Sequence, residues 1–409
     1  MRYEQGRITA VIATDQSAAF DTVDLAKLLD KMRYYGIEGN KLEIFRSFMS
    51  NRRQYVSIDT FQSEILQSPP CSVIQGSKLS ACLYTIYVNE VNVLHNLINK
   101  PIFSDLTGEE SMNTNNINHI NISYVDDATS LISCQNIEIL KKYIDKYYKL
   151  LESFYNINFL KINPDKTAFL VTCQPKHRHL THNLTLQASN FIIRQSDTIK
   201  ILGVYFTNSL NNAPNVNNII SKVNYRISIL NKITQYTNFK TSKLLYNSLV
   251  VSVFTYCLPN LNNINYLQLN KLYVLWNKCA HRVLGFQSYK WNMTTIFKKL
   301  DWLSFTQMIH FESLKLFHKI SFEQQPKALT KYLQHSLVRS DVARLVRKPS
   351  ILYLSKTSKT SNSFLHRTNN IYNNIPDDIR ILAKKKFAIE IKIHIKNNFD
   401  LKKFTKPPY

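Results

Sequence analysis

The sequence predicts an α+β fold in which helices pack on a largely antiparallel sheet, followed by a segment that is mainly helical. Three observations predict this. Short strand-like runs and helical patterns are mixed without a strict βαβ alternation over the first half of the chain. Apolar residues then follow helical spacing after about residue 207. The chain has 409 residues, of which 44% are hydrophobic and 20% are charged, so it is globular and long enough for two or three domains.

The first elements are a strand and two helices. ITAVIATD (8–15) predicts a short buried strand that ends on Asp15. A helix follows, because its leucines and Met32 recur at helical spacing and Gly36 stands where a helix commonly ends. A second helix is predicted over 39–51.

The next elements lead to a pair of adjacent aspartates. RQYVSID (53–59) and EILQSPP (64–70) predict a strand pair, and residues 78–94 predict a helix with an apolar face at Leu79, Leu83, Ile86 and Tyr87. An Asn- and Ser-rich stretch, 99–121, predicts an exposed loop. After it comes ISYVDDAT (122–129), which predicts a hairpin with aspartates at its tip. The remaining elements are a helix over 136–154 and short strands in KTAFLVT, LTLQA, FIIRQ and IKILGVYF.

The second half of the chain is predicted to be helical. In 216–233, one helix face collects Ile219, Ile220, Val223, Ile227, Leu230 and Ile233. We expect a first domain over 1–206, a helical domain over 207–290 and a basic segment of uncertain role over 291–409. The last 29 residues hold eight lysines and two acids, which is typical either of a solvated helix face or of a surface that binds phosphates.

Charge and cysteine content narrow the classes of function. A net charge of +24 favours a polyanionic partner, nucleic acid before an anionic membrane, although biased codon usage can produce the same composition. The six cysteines are scattered without a CxxC pair, which argues against a zinc module and against disulfides and favours a reducing intracellular compartment. No run of about 18 apolar residues predicts a membrane span. We therefore expect an intracellular protein without a membrane partner.

The acidic residues suggest chemistry. Asp15 ends a buried strand, where a carboxylate is costly unless it is paired or binds a metal. Asp126 and Asp127 alone are an ordinary turn. If the two strands are neighbours in one sheet, however, the three carboxylates converge, and hard oxygen ligands of this kind suit Mg²⁺ or Mn²⁺. Such a site predicts phosphoryl or nucleotidyl transfer with two metal ions.

Five segments in this order resemble the palm motifs A to E of the reverse transcriptase of non-LTR (LINE-type) retrotransposons. The segments are Asp15–Asp21, IQGSKLSACLYTIYVNEV (74–91), YVDD (124–127), NFLKINPDKT (158–167) and IKILGVYF (199–206). The resemblance covers about residues 1–290. It implies a right-hand polymerase palm over 1–206, a helical thumb over 207–290, and an RNA-directed DNA polymerase of a mobile element.

The resemblance also implies roles for single residues. Asp15, Asp126 and Asp127 would bind two Mg²⁺ ions, with Mn²⁺ as a substitute, and Lys166 would protonate or neutralise the leaving pyrophosphate. The nucleotide contacts would be Phe20, under the sugar, and the turn of Gln75 and Gly76. Leu202, Gly203 and Val204 would form the hairpin that grips the primer. The implied partners are an RNA template, a DNA primer or target duplex, and deoxynucleoside triphosphates, in the nucleus or in a cytoplasmic ribonucleoprotein.

Some residue-level alternatives stay open. Phe20 could be a core aromatic, and Lys166 could be a solvated lysine at a strand edge. The sequence also departs from the family pattern, because Gln16 replaces an apolar residue, Ala81 a proline and Phe159 a glycine.

The short stretch of sequence before motif A leaves more than one function possible. Motif A begins at residue 15, whereas the family places a fingers region before it, so we expect an N-terminally truncated member. The alternative function is an inactive relic or domesticated fragment that only binds nucleic acid. A protein-interaction scaffold built on the helical half has less support.

Overall fold

A computed structural model describes residues 6–67, 71–98, 100, 116–181, 184–187, 191–327, 329–330 and 364–398. The chain forms two compact units that divide between Leu210 and Asn211. The first combines a four-stranded antiparallel sheet with helices and the second is helical, so the predicted α+β class is confirmed. The functional assignment of the predicted domains stays a prediction.

The sheet of the first unit has the strand order β10-β1-β8-β7. Its strands are β1 (Ile8–Thr14), β7 (Asn118–Tyr124), β8 (Asp127–Cys134) and β10 (Ala168–Thr172). All neighbours are antiparallel, and β7 and β8 form the predicted hairpin. The loop predicted over 99–121 is wrong at its end, because β7 begins at Asn118; residues 101–115 lie outside the described residues.

The two faces of the sheet bury different side chains, as the alternation along a strand requires. On one face, Ile8, Ala10 and Ile12 belong to a large core shared with four helices. These helices are α1 (Leu25–Tyr34), α2 (Asn40–Met49), α3 (Ser80–Val88) and α4 (Ile137–Ile157). On the other face, Val11 packs with Leu170 and with Ile199 of a later hairpin. The first fold unit is therefore a sheet with helices on one side.

Local sequence explains how α1 begins and ends. The Asp24 side chain caps it by accepting a hydrogen bond from the backbone N–H of Lys27 at 2.8 Å. At the other end, Gly36 has φ +82°, its N–H donates to the Arg33 carbonyl, and the Ile37 N–H donates to the Met32 carbonyl. Both bonds define a Schellman motif, so Gly36 ends the helix as predicted.

Two predictions between α2 and β7 need correction. The predicted strand pair is reduced to two short ladders, β3 (Arg53–Gln54) with β6 (Leu66–Gln67) and β4 (Ser57–Ile58) with β5 (Phe61–Gln62). The predicted helix over 78–94 is α-helical only over Ser80–Val88, and two short 3₁₀ turns follow it. Its predicted apolar face is also wrong at Leu79, which is exposed, because Tyr84 is the residue that turns into the core.

Short strands complete the first unit. They are β2 (Gln16–Ser17), β9 (Lys161–Ile162), β11 (Thr185–Gln187), β12 (Ile192–Arg194), β13 (Thr198–Ile201) and β14 (Val204–Thr207). Strand β2 pairs with β9, and β13 pairs with β14, each antiparallel. Strand β2 begins at Gln16, two residues after β1 ends at Thr14. Since β2 pairs with β9, the residues that follow β9 lie beside the end of β1.

The second unit is built from helices around two cores. Its described α-helices are α5 (Ala213–Thr234), α6 (Phe239–Tyr246), α7 (Ser252–Thr255), α8 (Tyr266–Leu284), α9 (Met293–Leu300), α10 (Phe305–Ser321), α11 (Phe364–Asn373), α12 (Asp377–Arg380) and α13 (Lys384–Asn398). The predicted apolar face of α5 is largely correct, since Ile219, Val223, Ile227 and Leu230 are buried, whereas Ile233 is exposed. Among the helices of the described ranges, none is both long and apolar enough to span a membrane.

Helix α13 shows that part of the lysine-rich end has a structural use. Its buried residues Phe387, Ile391 and Ile395 pack in one core with α10 and α11. On its other side, Lys392 contacts the Asp301 carboxylate at 2.8 Å, and Lys396 contacts it as well. These two lysines are therefore ion-paired within the chain, which neither predicted use of the lysine-rich end included.

We predict that Asp301→Asn weakens the attachment of α13. The two lysines lower the pKa of Asp301 to about 2, so its contribution is present above the ordinary carboxyl pKa of about 4 and is lost as pH falls through about 2. Because the side chain is 62% exposed, we expect a loss of only about 0.5 kcal/mol at pH 7 and low salt. Chemical denaturation at several pH values would measure it, with Glu390→Gln on the same helix as the control. An equal loss in 1 M salt would contradict the ion-pair explanation.

Candidate active site

The register of the central strands brings the predicted acidic residues together. Strand β1 ends at Thr14, which pairs with Ala128 of β8, so Asp15 lies at the same end of the sheet as the β7–β8 turn. That turn consists of Val125 and Asp126, because Tyr124 pairs with Asp127. A side-chain bond supports the junction, since the Thr14 hydroxyl donates to the Ala128 carbonyl at 3.1 Å. Residues more than a hundred positions apart thus become neighbours.

The turn between the two strands is tight and strained. Val125 has φ +57°, which is a rare conformation for a β-branched residue. Such a conformation costs on the order of 1–3 kcal/mol and persists only where the surrounding structure holds it. Here the paired strands on both sides hold it, and the result is that Asp126 lies in the turn and Asp127 directly after it.

Asp15 has an oxygen available for a cation. Its side chain is mostly buried, and its Oδ2 atom has no hydrogen-bond partner among the described residues. The nearest cation is Lys166, whose Nζ lies 3.4 Å from Oδ2, within the range of an ion pair. Lys166 reaches this position because β9 pairs with β2 and the Asn163 N–H donates to the Asp15 carbonyl at 2.8 Å. A buried carboxylate oxygen without a hydrogen bond is costly unless a cation compensates it.

The carboxylates affect one another electrostatically. The pKa of Asp127 is raised, first by burial and then by the negative charges of Asp126 and Asp15, while Lys166 lowers it. Like charges gathered in this way disfavour full ionisation, and a multivalent cation would remove the conflict. The lysine partly neutralises the cluster, but one positive charge does not balance three carboxylates.

The donor chemistry therefore fits a hard divalent cation. Carboxylate oxygens are the ligands that Mg²⁺ and Mn²⁺ prefer. Within the described ranges, however, no three histidine, cysteine, aspartate or glutamate side chains are grouped closely enough to form a complete metal cage. The three aspartates are neighbours at one end of the sheet, and convergence of all three side chains on one point stays a prediction.

Phe20 and Gln75, two of the predicted nucleotide contacts, have partners within the protein. Phe20 is half-buried and stacks on Tyr84 of α3, with ring centroids 5.3 Å apart and an interplanar angle of 28°. Gln75 is exposed, and its Nε2 donates to both carboxylate oxygens of Asp21 at 3.0 and 3.1 Å. Gly76 follows with φ +84°, a conformation that favours glycine. The two predicted nucleotide-contacting segments are thus joined by the Gln75–Asp21 bond.

The predicted primer-grip residues form the turn of the β13–β14 hairpin. Ile201 pairs with Val204, so Leu202 and Gly203 are its two central residues, with φ +46° and +80°. Positive φ at both positions is typical of the type I′ turn that suits a two-residue hairpin. The hairpin packs through Ile199 against Val11 and Leu170, on the sheet face opposite the helices. Its contact with a primer stays a prediction.

Three features of the site could not be read from the sequence motifs alone. Gln16, which departs from the family pattern, is buried between the Asp126 turn and α3. Asp21 is the partner of Gln75, and its only signal in the sequence was its position beside Phe20. Phe159, where the family has glycine, has φ +57°, which explains the glycine preference. The Lys27 ammonium lies 4.2 Å from the centre of the Phe159 ring, a cation–π contact that offsets part of the strain.

Comparison with known protein families gives a match over the first half of the chain. The sequence profile of a family described as reverse transcriptase (RNA-dependent DNA polymerase) matches residues 2–206. Two similar solved structures are telomerases in complex with a TWJ fragment of telomeric RNA. The one from Candida tropicalis is 12% identical, with a TM-score of 0.35 over 97% of this chain and 48% of that chain. The one from Candida albicans is 13% identical, with a TM-score of 0.32 over 79% and 50%. The chain spans about half the length of each, and no match was found among curated proteins.

We predict that Asp127→Asn raises the melting temperature at pH 7 when divalent cations are removed with EDTA. Because the folded-state pKa of Asp127 is raised, its contribution to stability is most favourable below the ordinary carboxyl pKa of about 4 and is lost as pH rises through the raised value. A neutral asparagine removes the repulsion from Asp126 and Asp15. Circular dichroism melts should show the gain at pH 7 and none below about pH 4.

A matched control is Asp378→Asn, which neutralises an exposed aspartate at the start of α12 and should not raise the melting temperature. An Asp127→Asn protein that melts at or below the wild-type temperature in EDTA at pH 7 would contradict the proposed repulsion.

Proposed function

Because the chain belongs to the reverse transcriptase (RNA-dependent DNA polymerase) family, we propose that it is the RNA-directed DNA polymerase of a non-LTR mobile element. It would add deoxynucleotides to a primer 3′ end on an RNA template. The observation that carries the proposal is the strand register that makes Asp15 a neighbour of Asp126 and Asp127 at one end of the sheet.

Asp15, Asp126 and Asp127 are the residues that would hold two divalent cations, Mg²⁺ or Mn²⁺. Reverse transcriptase domains generally use divalent metal ions, and the Oδ2 atom of Asp15, which is buried without a hydrogen bond and has only Lys166 as an ion-pair partner, fits that requirement. The chemistry that bound ions would supply there is activation of the attacking hydroxyl and stabilisation of the leaving pyrophosphate. Because burial and neighbouring negative charges raise the pKa of Asp127, a bound cation would favour its ionised form.

Lys166 has a geometry suited to the leaving group. Its ammonium lies beside Asp15 yet its side chain is 68% exposed, so it can move from the carboxylate toward an anion in the open site. At that place it would neutralise or protonate the pyrophosphate. Because the lysine end of this ion pair is exposed, water can replace part of the interaction when Lys166 moves to another partner.

The nucleotide contacts would come from Phe20, Gln75 and Gly76. The Phe20 ring is held by its stack on Tyr84, so its position is defined before any nucleotide binds. Gln75 would orient the incoming nucleotide from the turn that Gly76 permits. The hairpin turn of Leu202–Val204 would support the primer end.

The proposed partners are an RNA template, a DNA primer or target duplex, and deoxynucleoside triphosphates. A net charge of +24 favours contacts with nucleic acid backbones, whose affinity falls steeply with salt. Such partners are found in the nucleus and in cytoplasmic ribonucleoproteins, and we propose one of these locations.

A second candidate function is nucleic-acid binding without catalysis. The observation that favours it is the lack of a complete metal cage among the described residues. In that case the excess of basic residues would bind RNA, and the aspartates would have no effect on binding. The two candidates differ in one measurable property, the dependence of activity on divalent cations and on Asp126.

We predict that the full chain extends a DNA primer on an RNA template with Mg²⁺ or Mn²⁺, and that Asp126→Ala reduces extension at least about a hundredfold. The expected loss corresponds to several kcal/mol of charge stabilisation. RNA binding, measured by filter retention at low salt, should be unchanged, because the aspartate contributes no attraction to phosphates.

The control for this experiment is Asp30→Ala, which removes an exposed carboxylate paired with Arg33 on α1 and should leave extension within about twofold. RNA binding without extension by the wild-type chain would favour the second candidate. Failure of the wild-type chain to do either would exclude both.

A further inference from the structure

A buried hydrogen-bonded link joins three elements of the candidate site. Gln16, which follows Asp15 in β2, is 5% exposed, and Tyr84 of α3 is fully buried. The Tyr84 hydroxyl donates to Gln16 Oε1, and Gln16 Nε2 donates to the backbone carbonyl of Asp126 at 3.4 Å. One amide therefore connects the end of β1, the Asp126 turn and helix α3.

The orientation of the amide is determined by its neighbours. A backbone carbonyl can only accept, so Nε2 must face Asp126 and Oε1 must face Tyr84. Tyr84 must then be the donor, and it stays protonated because burial, with a contribution from the Asp126 charge, raises its pKa well above the usual value.

Tyr84 also contacts a residue of the predicted nucleotide-binding part of the site. Its ring stacks on Phe20, the residue proposed to contact the sugar, with the centroids 5.3 Å apart. The same side chain thus supports Phe20 through its ring and the Asp126 turn through its hydroxyl and Gln16. Burying a glutamine amide costs free energy unless both of its ends are bonded, and here both bonds are directed at this site.

We propose that Gln16 and Tyr84 are a positioning pair that sets the Asp126 turn and the Phe20 ring relative to one another. This inference rests on the proposed polymerase function. The hydroxyl-to-amide link holds the strained turn that carries Asp126, and the aromatic stack holds the Phe20 ring, which we propose lies under the sugar and excludes a 2′-hydroxyl. Neither residue contacts the reacting atoms, so each acts through the group that it holds.

The two contacts of Tyr84 can be separated by substitution. Tyr84→Phe keeps the stacked ring and removes the hydroxyl, so we expect kcat to fall about 3- to 10-fold with little change in KM or in the preference for deoxynucleotides. Tyr84→Leu also removes the stack, so the preference for deoxynucleotides over ribonucleotides should fall as well. Gln16→Met keeps the volume of the side chain and removes both bonds, and it should resemble Tyr84→Phe.

A double-mutant cycle tests whether the two residues act as one unit. If they share one link, Gln16→Met combined with Tyr84→Phe loses no more kcat than the more affected single variant. The control is Tyr148→Phe on α4, which removes another buried tyrosine hydroxyl, one with no hydrogen bond to Gln16 or to the Asp126 turn, and it should leave the kinetics unchanged. Additive losses of kcat in the double variant, or an equal loss of kcat in Tyr148→Phe, would contradict the proposal that Gln16 and Tyr84 act as a pair.

Hydrogen exchange separates this inference from the proposed function. Without nucleotides or metal, amides of residues 122–129 should exchange about 3- to 10-fold faster in Tyr84→Phe and Gln16→Met than in the wild type or in Tyr148→Phe. Faster exchange supports the pair even in a chain that extends no primer, where only the polymerase proposal would fail. If the amides of this segment exchange at the wild-type rate in both variants, the proposed pair is wrong, whether or not the chain extends a primer.

Discussion

The antiparallel register of β1 on β8 is the constraint on which the candidate site depends. Thr14 opposite Ala128 is what makes Asp15 a neighbour of the Asp126 turn. A shift by one residue would turn Ile8, Ala10 and Ile12 out of the helical core and Val11 into it, so burial on both faces of the sheet fixes the register. The packing of the first unit therefore also fixes the placement of Asp15, Asp126 and Asp127 at one end of the sheet.

The placement of three aspartates at one end of the sheet carries an electrostatic cost, and the fold supports it. Burial and neighbouring charges raise the pKa of Asp127, the Oδ2 atom of Asp15 is buried without a hydrogen bond, and Val125 is held in a strained turn. Lys166 and the Gln16–Tyr84 link offset part of this cost. A site that is destabilising on its own is expected where function requires a cation, because binding the cation recovers the lost free energy.

The sequence predicted the elements that carry strong periodicity or unusual residues. The strand ending at Asp15, the hairpin with its two aspartates and the end of α1 at Gly36 were predicted with small errors at their boundaries. The face that α3 turns into the core was not predicted correctly. Tyr84 carries a polar hydroxyl, and only the hydrogen bond that this hydroxyl donates to Gln16 allows it to be buried. Long-range partners of this kind, like Asp21 for Gln75 and Asp301 for Lys392, leave no local pattern in the sequence.

The central claim is that Asp15 and the Asp126–Asp127 turn form one cation site, and Mn²⁺ binding followed by electron paramagnetic resonance tests it most directly. In the presence of a deoxynucleoside triphosphate and primer–template, the wild-type chain should bind Mn²⁺ more tightly than Asp15→Asn or Asp126→Asn, with Asp30→Asn unchanged as the control. Each of the two site substitutions should weaken binding at least about tenfold, since each removes a charged ligand. Equal Mn²⁺ affinity in all four proteins would contradict the account.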